Sequence, residues 1–443
     1  MIRIHSVRVI PVRMPARLSG FSLIEIMIAL TLGLLLSVGI LSLFNGTSRT
    51  NKLQNGLAQL QENGRFAVMR IEQDMRMLGA QYCSNTTGGS APGTAVPVLP
   101  ERAPMIYAPN LGLPDSNIQS IDASGSPSNA AAGAPYALSP RWFAQGYSCT
   151  TSSCTPAVPT GAGLFPGMGL ADGKRVPASD VLTIRYLRGS GWPLTNGACA
   201  VAAADPLVTG TGITLSPQTG DDPVDFDAGN LALVTDCINP VVLPISAYSS
   251  NVVTVGAILP GATGAVCGGS RTRDVRMFNF SKDFVTISYY LVFRADDSPD
   301  ARPNDGSGSR LIPVLVRSVN GVAQDLVRGV DALRFRYGVQ DSAGYTRFMT
   351  ADQVNLGSAC TAPPGGLNVE PGCLWRSVRT VEAHLLVNTV NEVFGLDNAS
   401  RTFRFDGNPY TLADGAALPS GLLAGSQIRR EFIAYVSNRA HNL

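Results

Sequence analysis

The chain has 443 residues and a formal net charge of +2 at pH 7, and charged residues make up 15% of it, below the average of about 25%. No basic tract with interleaved aromatic residues occurs, so no nucleic-acid binding is expected. Together with 46 glycines and 30 prolines, the low charge favours a loop-rich β domain over a helical enzyme, and the length suggests about one to three domains.

The first long element is an apolar run from Phe21 to Phe44 in which Glu25 is the only charged residue. As a helix it would be about 36 Å long, enough to cross a hydrocarbon core of about 30 Å. The segment before it contains no acidic residue and four arginines, namely Arg3, Arg8, Arg13 and Arg17. This pattern predicts a membrane helix with its N-terminus on the cytoplasmic side, and it is too long for an ordinary secretory signal.

Glu25 is the residue that a plain membrane anchor leaves unexplained. An ionised carboxylate in an apolar membrane helix costs about 2.5–3.5 kcal/mol. A charge in such a position is by default a functional residue, so the sequence predicts a role for Glu25 beyond anchoring. A generic anchor is the alternative.

The segment Gly20-Phe21-Ser22-Leu23-Ile24-Glu25 resembles the N-terminus of type IV prepilins and of type II secretion pseudopilins. The resemblance implies that a prepilin peptidase cuts between Gly20 and Phe21 and that the new amine of Phe21 is methylated. It also implies that Glu25 pairs with the N-terminal amine of a neighbouring subunit during assembly. Residues 1–20 would then be a leader. Met14 is an alternative start, because Met14 to Gly20 alone has the length of a typical leader.

Beyond Phe44 the same helix is predicted to continue to Leu78 and to end at Gly79. Apolar residues recur at spacings of three and four, which places them on one helical face: Leu53, Leu57, Leu60, Ala67, Ile71, Met75 and Leu78, with Gly64 on the same line. Charged residues, among them Glu72 and Asp74, are assigned to the other face. Residues 21–79 are therefore expected to be one helix, transmembrane over 21–44 and amphipathic over 45–79.

Residues 80–443 are expected to be a globular head, periplasmic or extracellular, in which 84–270 is a loop-rich insertion. Strand-like runs are rich in β-branched and aromatic residues: Val181–Leu187, Leu231–Thr235, Val252–Leu259, Phe284–Phe293, Leu311–Val319, Leu333–Val339, Ser377–Val390 and Arg429–Arg439. Asn320-Gly321 between two such segments indicates a hairpin. The predicted fold class is α+β and pilin-like: a long N-terminal helix packed on an antiparallel sheet, with large loop-rich insertions.

Eight cysteines lie beyond the apolar run, and none is in a Cys-x-x-Cys pair. In a translocated domain an even number of cysteines indicates disulfides rather than zinc ligands. Their connectivity cannot be deduced from the sequence. The pairs Cys149–Cys154 and Cys360–Cys373 are favoured as possible disulfides, and buried free thiols are the alternative.

No motif of a catalytic or cofactor site is present. A nucleophile elbow, a phosphate-binding loop and a His-Glu-x-x-His motif are all missing, so neither enzyme activity nor a cofactor is expected. Two aspartate-rich loops, Asp221–Asp227 and Asp296–Asp305, do not follow the calcium-loop pattern and are expected to be solvated turns without metal. The tryptophans Trp142, Trp192 and Trp375 are expected in the core.

Residues 280–443 resemble a PilW-type minor pilin, a group similar to the J-type minor pseudopilins. The residues that carry this resemblance are Phe335-Arg336-Tyr337-Gly338-Val339, Trp375-Arg376-Ser377-Val378-Arg379 and the closing Ser437-Asn438-Arg439. It implies a minor pilin that primes assembly of a type IV pilus and is incorporated into it, with roles in twitching motility and adhesion. The implied partners are other minor pilins, the major pilin, the prepilin peptidase, the inner-membrane assembly platform and a large tip adhesin.

Two other functions remain as alternatives at this point. One is a J-type minor pseudopilin of a type II secretion system, which would use the same helix and the same Glu25 contact. The other is a surface- or DNA-binding module at a pilus tip, formed by residues 84–270.

Overall fold

The computed structural model describes residues 22–80, 104–109, 111, 136–138, 140–160, 165–195, 209–235, 240–259, 275–296, 310–340, 345–356, 372–391, 401–412, 418–422, 425 and 427–437. Within them the chain is α+β, with a long N-terminal helix followed by mainly antiparallel sheets. The predicted fold class is confirmed. The chain divides into two compact units, Met1–Asn55 and Gly56–Leu443.

Helix α1 spans Leu23–Met75, which is 53 residues or about 80 Å at the usual rise. The sequence predicts a helix end at Leu78, but α1 ends at Met75 and a turn follows up to Gly79, whose φ is 69°. A left-handed φ suits glycine, so Gly79 ends the helical segment as predicted. Two short helices follow, α2 at Phe280–Asp283 and α3 at Ala351–Leu356.

The strands found within the described residues are, in chain order, β1 Met105–Ile106, β2 Tyr136–Ala137, β3 Ala144–Cys149, β4 Cys154–Thr155, β5 Val181–Leu187, β6 Trp192–Pro193, β7 Gly212–Thr214, β8 Leu231–Thr235, β9 Val241–Ser249, β10 Val252–Val255, β11 Arg276–Asn279, β12 Phe284–Asp296, β13 Arg310–Val319, β14 Val322–Arg328, β15 Val330–Gln340, β16 Thr346–Met349, β17 Val378–Asn388, β18 Arg401–Phe405, β19 Asn408–Leu412 and β20 Arg429–Ser437. A six-stranded sheet has the order β14-β13-β12-β5-β3-β4, and a four-stranded sheet has the order β16-β15-β17-β20. An eight-stranded sheet runs β2-β1-β9-β8-β11-β6, with β7 and β10 beside β9, and β18 pairs with β19.

Several predicted strands agree closely with the structure. β5 and β8 have the predicted bounds, whereas β10 ends at Val255 rather than at Leu259. The predicted hairpin at Asn320-Gly321 joins β13 to β14, and the φ angles of these two residues are 49° and 83°. Positive φ at both positions is the requirement of a type I′ turn, which Asn-Gly meets best.

The stretch 84–270 contains more strands than its composition indicates. It supplies β3 to β5 of the six-stranded sheet and every strand of the eight-stranded sheet except β11. β9 carries Pro244 in its interior, which weakens the strand signal in the sequence. At the same place the pairing of β9 with β10 shifts register between Thr254 and Val255, so the proline lies beside a bulge.

The main hydrophobic core lies between the six-stranded sheet, the four-stranded sheet and the second half of α1. It includes Ile71 from α1, Tyr289 from β12 and Phe335 from β15, all at most 1% exposed. The strands of the eight-stranded sheet contribute to a separate hydrophobic core. The three tryptophans are each at most 5% exposed, as predicted.

Candidate functional site

The first half of α1 is apolar and exposed to its surroundings. Its length and composition would allow it to cross a membrane, and it contributes no buried residue to the fold, which is compatible with membrane anchoring. Glu25 lies in the first turn with an exposed side chain, and its backbone N–H donates to the carbonyl of Ser22 at 3.0 Å. Gly20 and Phe21 lie outside the described residues, so the cleavage and methylation site stays a prediction.

The second half of α1 packs on the sheets through one face. Its buried residues are Leu60, Gly64, Ala67, Ile71, Asp74 and Met75. Gly64 lies so close to β20 that a Cβ atom placed on it would overlap the ring of Phe432. Glycine is therefore required at this position for the observed approach of helix and strand.

A buried polar cluster fixes the end of α1 to the six-stranded sheet. Asp74 accepts two hydrogen bonds from the Arg317 guanidinium, from Nε at 2.6 Å and from Nη2 at 3.1 Å. The Tyr289 hydroxyl donates to Asp74 Oδ2 at 2.5 Å. Tyr289 and Arg317 are direct neighbours across β12 and β13, so their side chains share the face of the sheet that meets the helix. The exposed fractions of the Asp74 and Arg317 side chains are 4% and 10%.

The electrostatics of this cluster favour one protonation state. Burial and the negative charge of Asp74 raise the pKa of Tyr289, so the tyrosine keeps its proton and donates a hydrogen bond to Asp74. Burial by itself lowers the pKa of Arg317, but the hydrogen bond and charge of Asp74 outweigh that effect and the pKa is raised. The result is a carboxylate–guanidinium pair with a neutral tyrosine, in which each buried polar group has a partner.

The prediction that Asp74 lies on the polar face of the helix is wrong. Asp74 is seven residues after Ala67, which is seven after Leu60, and both are buried. Two turns of an α-helix bring residues seven apart to nearly the same face. The spacing was a sufficient signal for burial, but the residue type pointed to the opposite assignment.

The other predicted site residues are only partly within the described chain. Cys149 and Cys154 form a disulfide, as the sequence indicates. For the pair Cys360–Cys373, Cys360 and the side chain of Cys373 lie outside the described residues. In the loop Asp221–Asp227, Lys282 Nζ lies 3.2 Å from Asp225 Oδ2 and 3.0 Å from Asp227 Oδ2. A lysine thus occupies the place that a cation would take, and the described residues contain no cluster suited to a metal ion.

The sheet strands that contact α1 through Arg317 and Phe432 belong to the C-terminal part of the chain. Residues 304–437 match the family described as Type IV Pilus-assembly protein W, or PilW. This C-terminal region of the chain is therefore similar to PilW-type pilus proteins. No curated protein and no solved structure matches it. The PilW-type region contains β13 to β20, and the match does not extend to the segment Gly20 to Glu25.

Proposed function

We propose that this PilW-type chain is a minor pilin that primes assembly of a type IV pilus and is incorporated into it. The observation that carries the proposal is the composition of α1. One helix has an exposed apolar first half with a single carboxylate, and its second half forms part of the core beside the PilW-type strands. A helix of this kind can pass from a membrane into a filament while its head stays folded.

Glu25 has the central role in the proposed assembly step. After a prepilin peptidase cuts between Gly20 and Phe21, the new amine of Phe21 is methylated. Glu25 then binds the N-terminal ammonium of a neighbouring subunit. In apolar surroundings a carboxylate and an ammonium each carry a desolvation cost, and pairing offsets both. The contact therefore favours subunits whose helices are aligned in one register.

The proposed route starts at the inner membrane, with the N-terminus in the cytoplasm, and ends at the pilus on the cell surface. The partners would be the peptidase, the assembly platform, other minor pilins, the major pilin and a tip adhesin. The head is large and irregular compared with a repeating shaft subunit, so we place the protein at or near the tip. From there it would act in pilus formation, twitching motility and adhesion.

The test is a strain that carries Glu25→Val in place of the wild-type chain. We expect normal amounts of the protein in the membrane, few or no pili, and no protein in sheared filaments. Glu62→Gln is the matched control, because Glu62 is an exposed carboxylate on the same helix, and it should leave pili unchanged. Unchanged incorporation of the Glu25→Val protein would overturn the proposed contact. Normal pili with a defect in protein export would instead favour the pseudopilin function.

A further inference from the structure

Arg175 is a buried arginine that is directed at the disulfide. The residue is 3% exposed, and its Nη1 lies 3.3 Å from Cys154 Sγ and 3.6 Å from Cys149 Sγ. Its Nε donates to the carbonyl of Pro166 at 3.3 Å. No carboxylate among the described residues pairs with it, in contrast to the buried Arg317, which has Asp74.

A buried guanidinium ordinarily has an anionic partner, because the uncompensated charge is costly in a medium of low polarity. Disulfide sulfurs are neutral and accept hydrogen bonds only weakly. The anion that fits the position of Arg175 is a thiolate of Cys149 or Cys154, which exists only when the bond is open. A nearby cation lowers the pKa of a thiol, and a thiol of lower pKa leaves a disulfide faster.

We propose that Cys149–Cys154 is a thiol–disulfide exchange site that a dithiol opens, with Arg175 stabilising the thiolates that form. Cys154 is partly exposed whereas Cys149 is 1% exposed, so a thiolate of the dithiol attacks Cys154 Sγ. The electron pair of the broken S–S bond goes to Cys149 Sγ, which becomes a thiolate beside Arg175. The second thiolate of the dithiol then attacks the dithiol sulfur that is bonded to Cys154. This step breaks the mixed disulfide and releases Cys154 as a thiolate. The dithiol leaves as a disulfide, and the protein has gained two electrons.

The surrounding hydrogen bonds hold the two cysteines together when the bond is open, so the exchange can be reversed. The Thr150 N–H donates to the carbonyl of Ser153 at 2.7 Å, which closes the turn between β3 and β4. The Cys149 N–H donates to Asp180 Oδ1 at 3.0 Å, and the same carboxylate binds Arg334 of β15 at 2.9 Å. None of these bonds depends on the disulfide, and through Asp180 the site is connected to the PilW-type strands.

The test measures how fast dithiothreitol opens this bond in the folded full-length chain in detergent micelles. Thiols are trapped by alkylation, and the peptide with Cys149 and Cys154 is quantified by mass spectrometry. At pH 7 we expect the wild type to open about tenfold faster than Arg175→Gln, since the leaving thiolate loses its cation. Arg175→Lys keeps the charge and should stay near the wild-type rate. Arg294→Gln is the matched control, because it removes a partly exposed arginine from neighbouring β12, and it should change nothing.

Near-UV circular dichroism would reveal whether Arg175→Gln folds. If it does not fold, a second measurement on the wild type tests the proposal. In the reduced wild type, the pH profile of Cys154 alkylation should have its midpoint below the ordinary thiol value of about 8.5. In a folded Arg175→Gln chain the midpoint should return toward that value. A wild-type midpoint at or above it, or equal opening rates for wild type and Arg175→Gln, would overturn the proposal.

Discussion

At the scale of single residues, the contact of Asp74 with Arg317 and Tyr289 defines how α1 lies on the sheet. Apolar side chains alone would tolerate small rotations of the helix about its axis. The Asp74 carboxylate reaches both partners in only one orientation, because Arg317 binds it through two nitrogens. A buried pair of this kind adds little net stability, but a half-satisfied pair is costly. Its main effect is therefore to exclude other orientations.

Removing the charge of Asp74 tests this view. We expect Asp74→Asn to destabilise the full chain in denaturant by about 3–5 kcal/mol, because Arg317 stays buried without its anion. Glu72→Gln is the control. It breaks an ion pair with Arg76 whose side chains are 27% and 49% exposed, and such a pair contributes at most about 1 kcal/mol. If both variants lost a similar and small amount of unfolding free energy, the Asp74 contact would not be needed to fix the orientation of the helix.

Asp283 gives the fold a pH dependence. Burial raises the pKa of Asp283 to about 6, although the hydrogen bond that it accepts from the Asn279 N–H lowers the pKa in part. In the unfolded chain the pKa of this residue is near 3.9. As the pH rises, the unfolded state therefore loses the proton at a lower pH than the folded state does. The contribution of Asp283 to stability is therefore complete below about pH 4 and is lost as the pH rises through about 6.

We expect Asp283→Asn to raise the thermal midpoint at pH 8 and to leave it nearly unchanged at pH 4, because the amide stays neutral at both. Thermal unfolding in a series of buffers between these values measures the difference. Asp227→Asn is the control, since this carboxylate belongs to the adjacent loop and its side chain is 73% exposed. It should not add stability at pH 8. An equal shift of the Asp283 variant at both pH values would rule out the assignment.

At the scale of elements, the contact between α1 and β20 depends on the missing side chain of Gly64. Alanine ordinarily favours a helix over glycine by about 1 kcal/mol, yet here its methyl group would overlap Phe432. We expect Gly64→Ala to lower the thermal midpoint and Phe432→Leu added to it to restore part of the loss. Gly46→Ala is the control in the same helix, because its Cβ would meet no atom within 4 Å. A higher midpoint for Gly64→Ala would contradict the close approach.

The strands differ in how well the sequence predicts them, and the reason is physical. β5 and β8 are rich in apolar and β-branched residues and are buried at every position, which is a strong local signal. β9 is interrupted by Pro244, and strands such as β1 have only two residues, too few for any periodicity. Their position in the eight-stranded sheet is determined by neighbours that are distant in sequence.

The same distinction applies to the candidate site. The apolar run with Glu25 and the Cys149–Cys154 pair are local features, and the sequence predicts both. The position of Arg175 beside the sulfurs is not local, because Arg175 is 21 residues from Cys154 in the chain. Arg317 and Asp74 are 243 residues apart, and no residue pattern in the sequence predicts such a contact.

At the scale of the whole molecule, the fold needs only the second half of α1. Every buried residue of the helix lies at Leu60 or beyond. We therefore expect a chain that starts at Gly56 to be soluble without detergent and to show native near-UV circular dichroism. A chain that starts at Met77 lacks the buried helix face and should not fold. Aggregation of the Gly56 chain under conditions in which the full chain is folded would contradict this expectation.

The pairing of Gly64 with Phe432 also has a consequence for biosynthesis. The helix is made first and β20 last, and at ordinary rates of translation their synthesis is separated by on the order of tens of seconds. Until β20 emerges, the helix face around Gly64 lacks the strand that contacts it, with Ala434 and Val436 missing from the same core. A nascent chain would therefore expose this apolar helix face until β20 is made, and we expect a holding chaperone to bind it during that time. Truncation of the last strand should therefore increase the demand for that chaperone, because the helix face around Gly64 then stays uncovered in the finished chain.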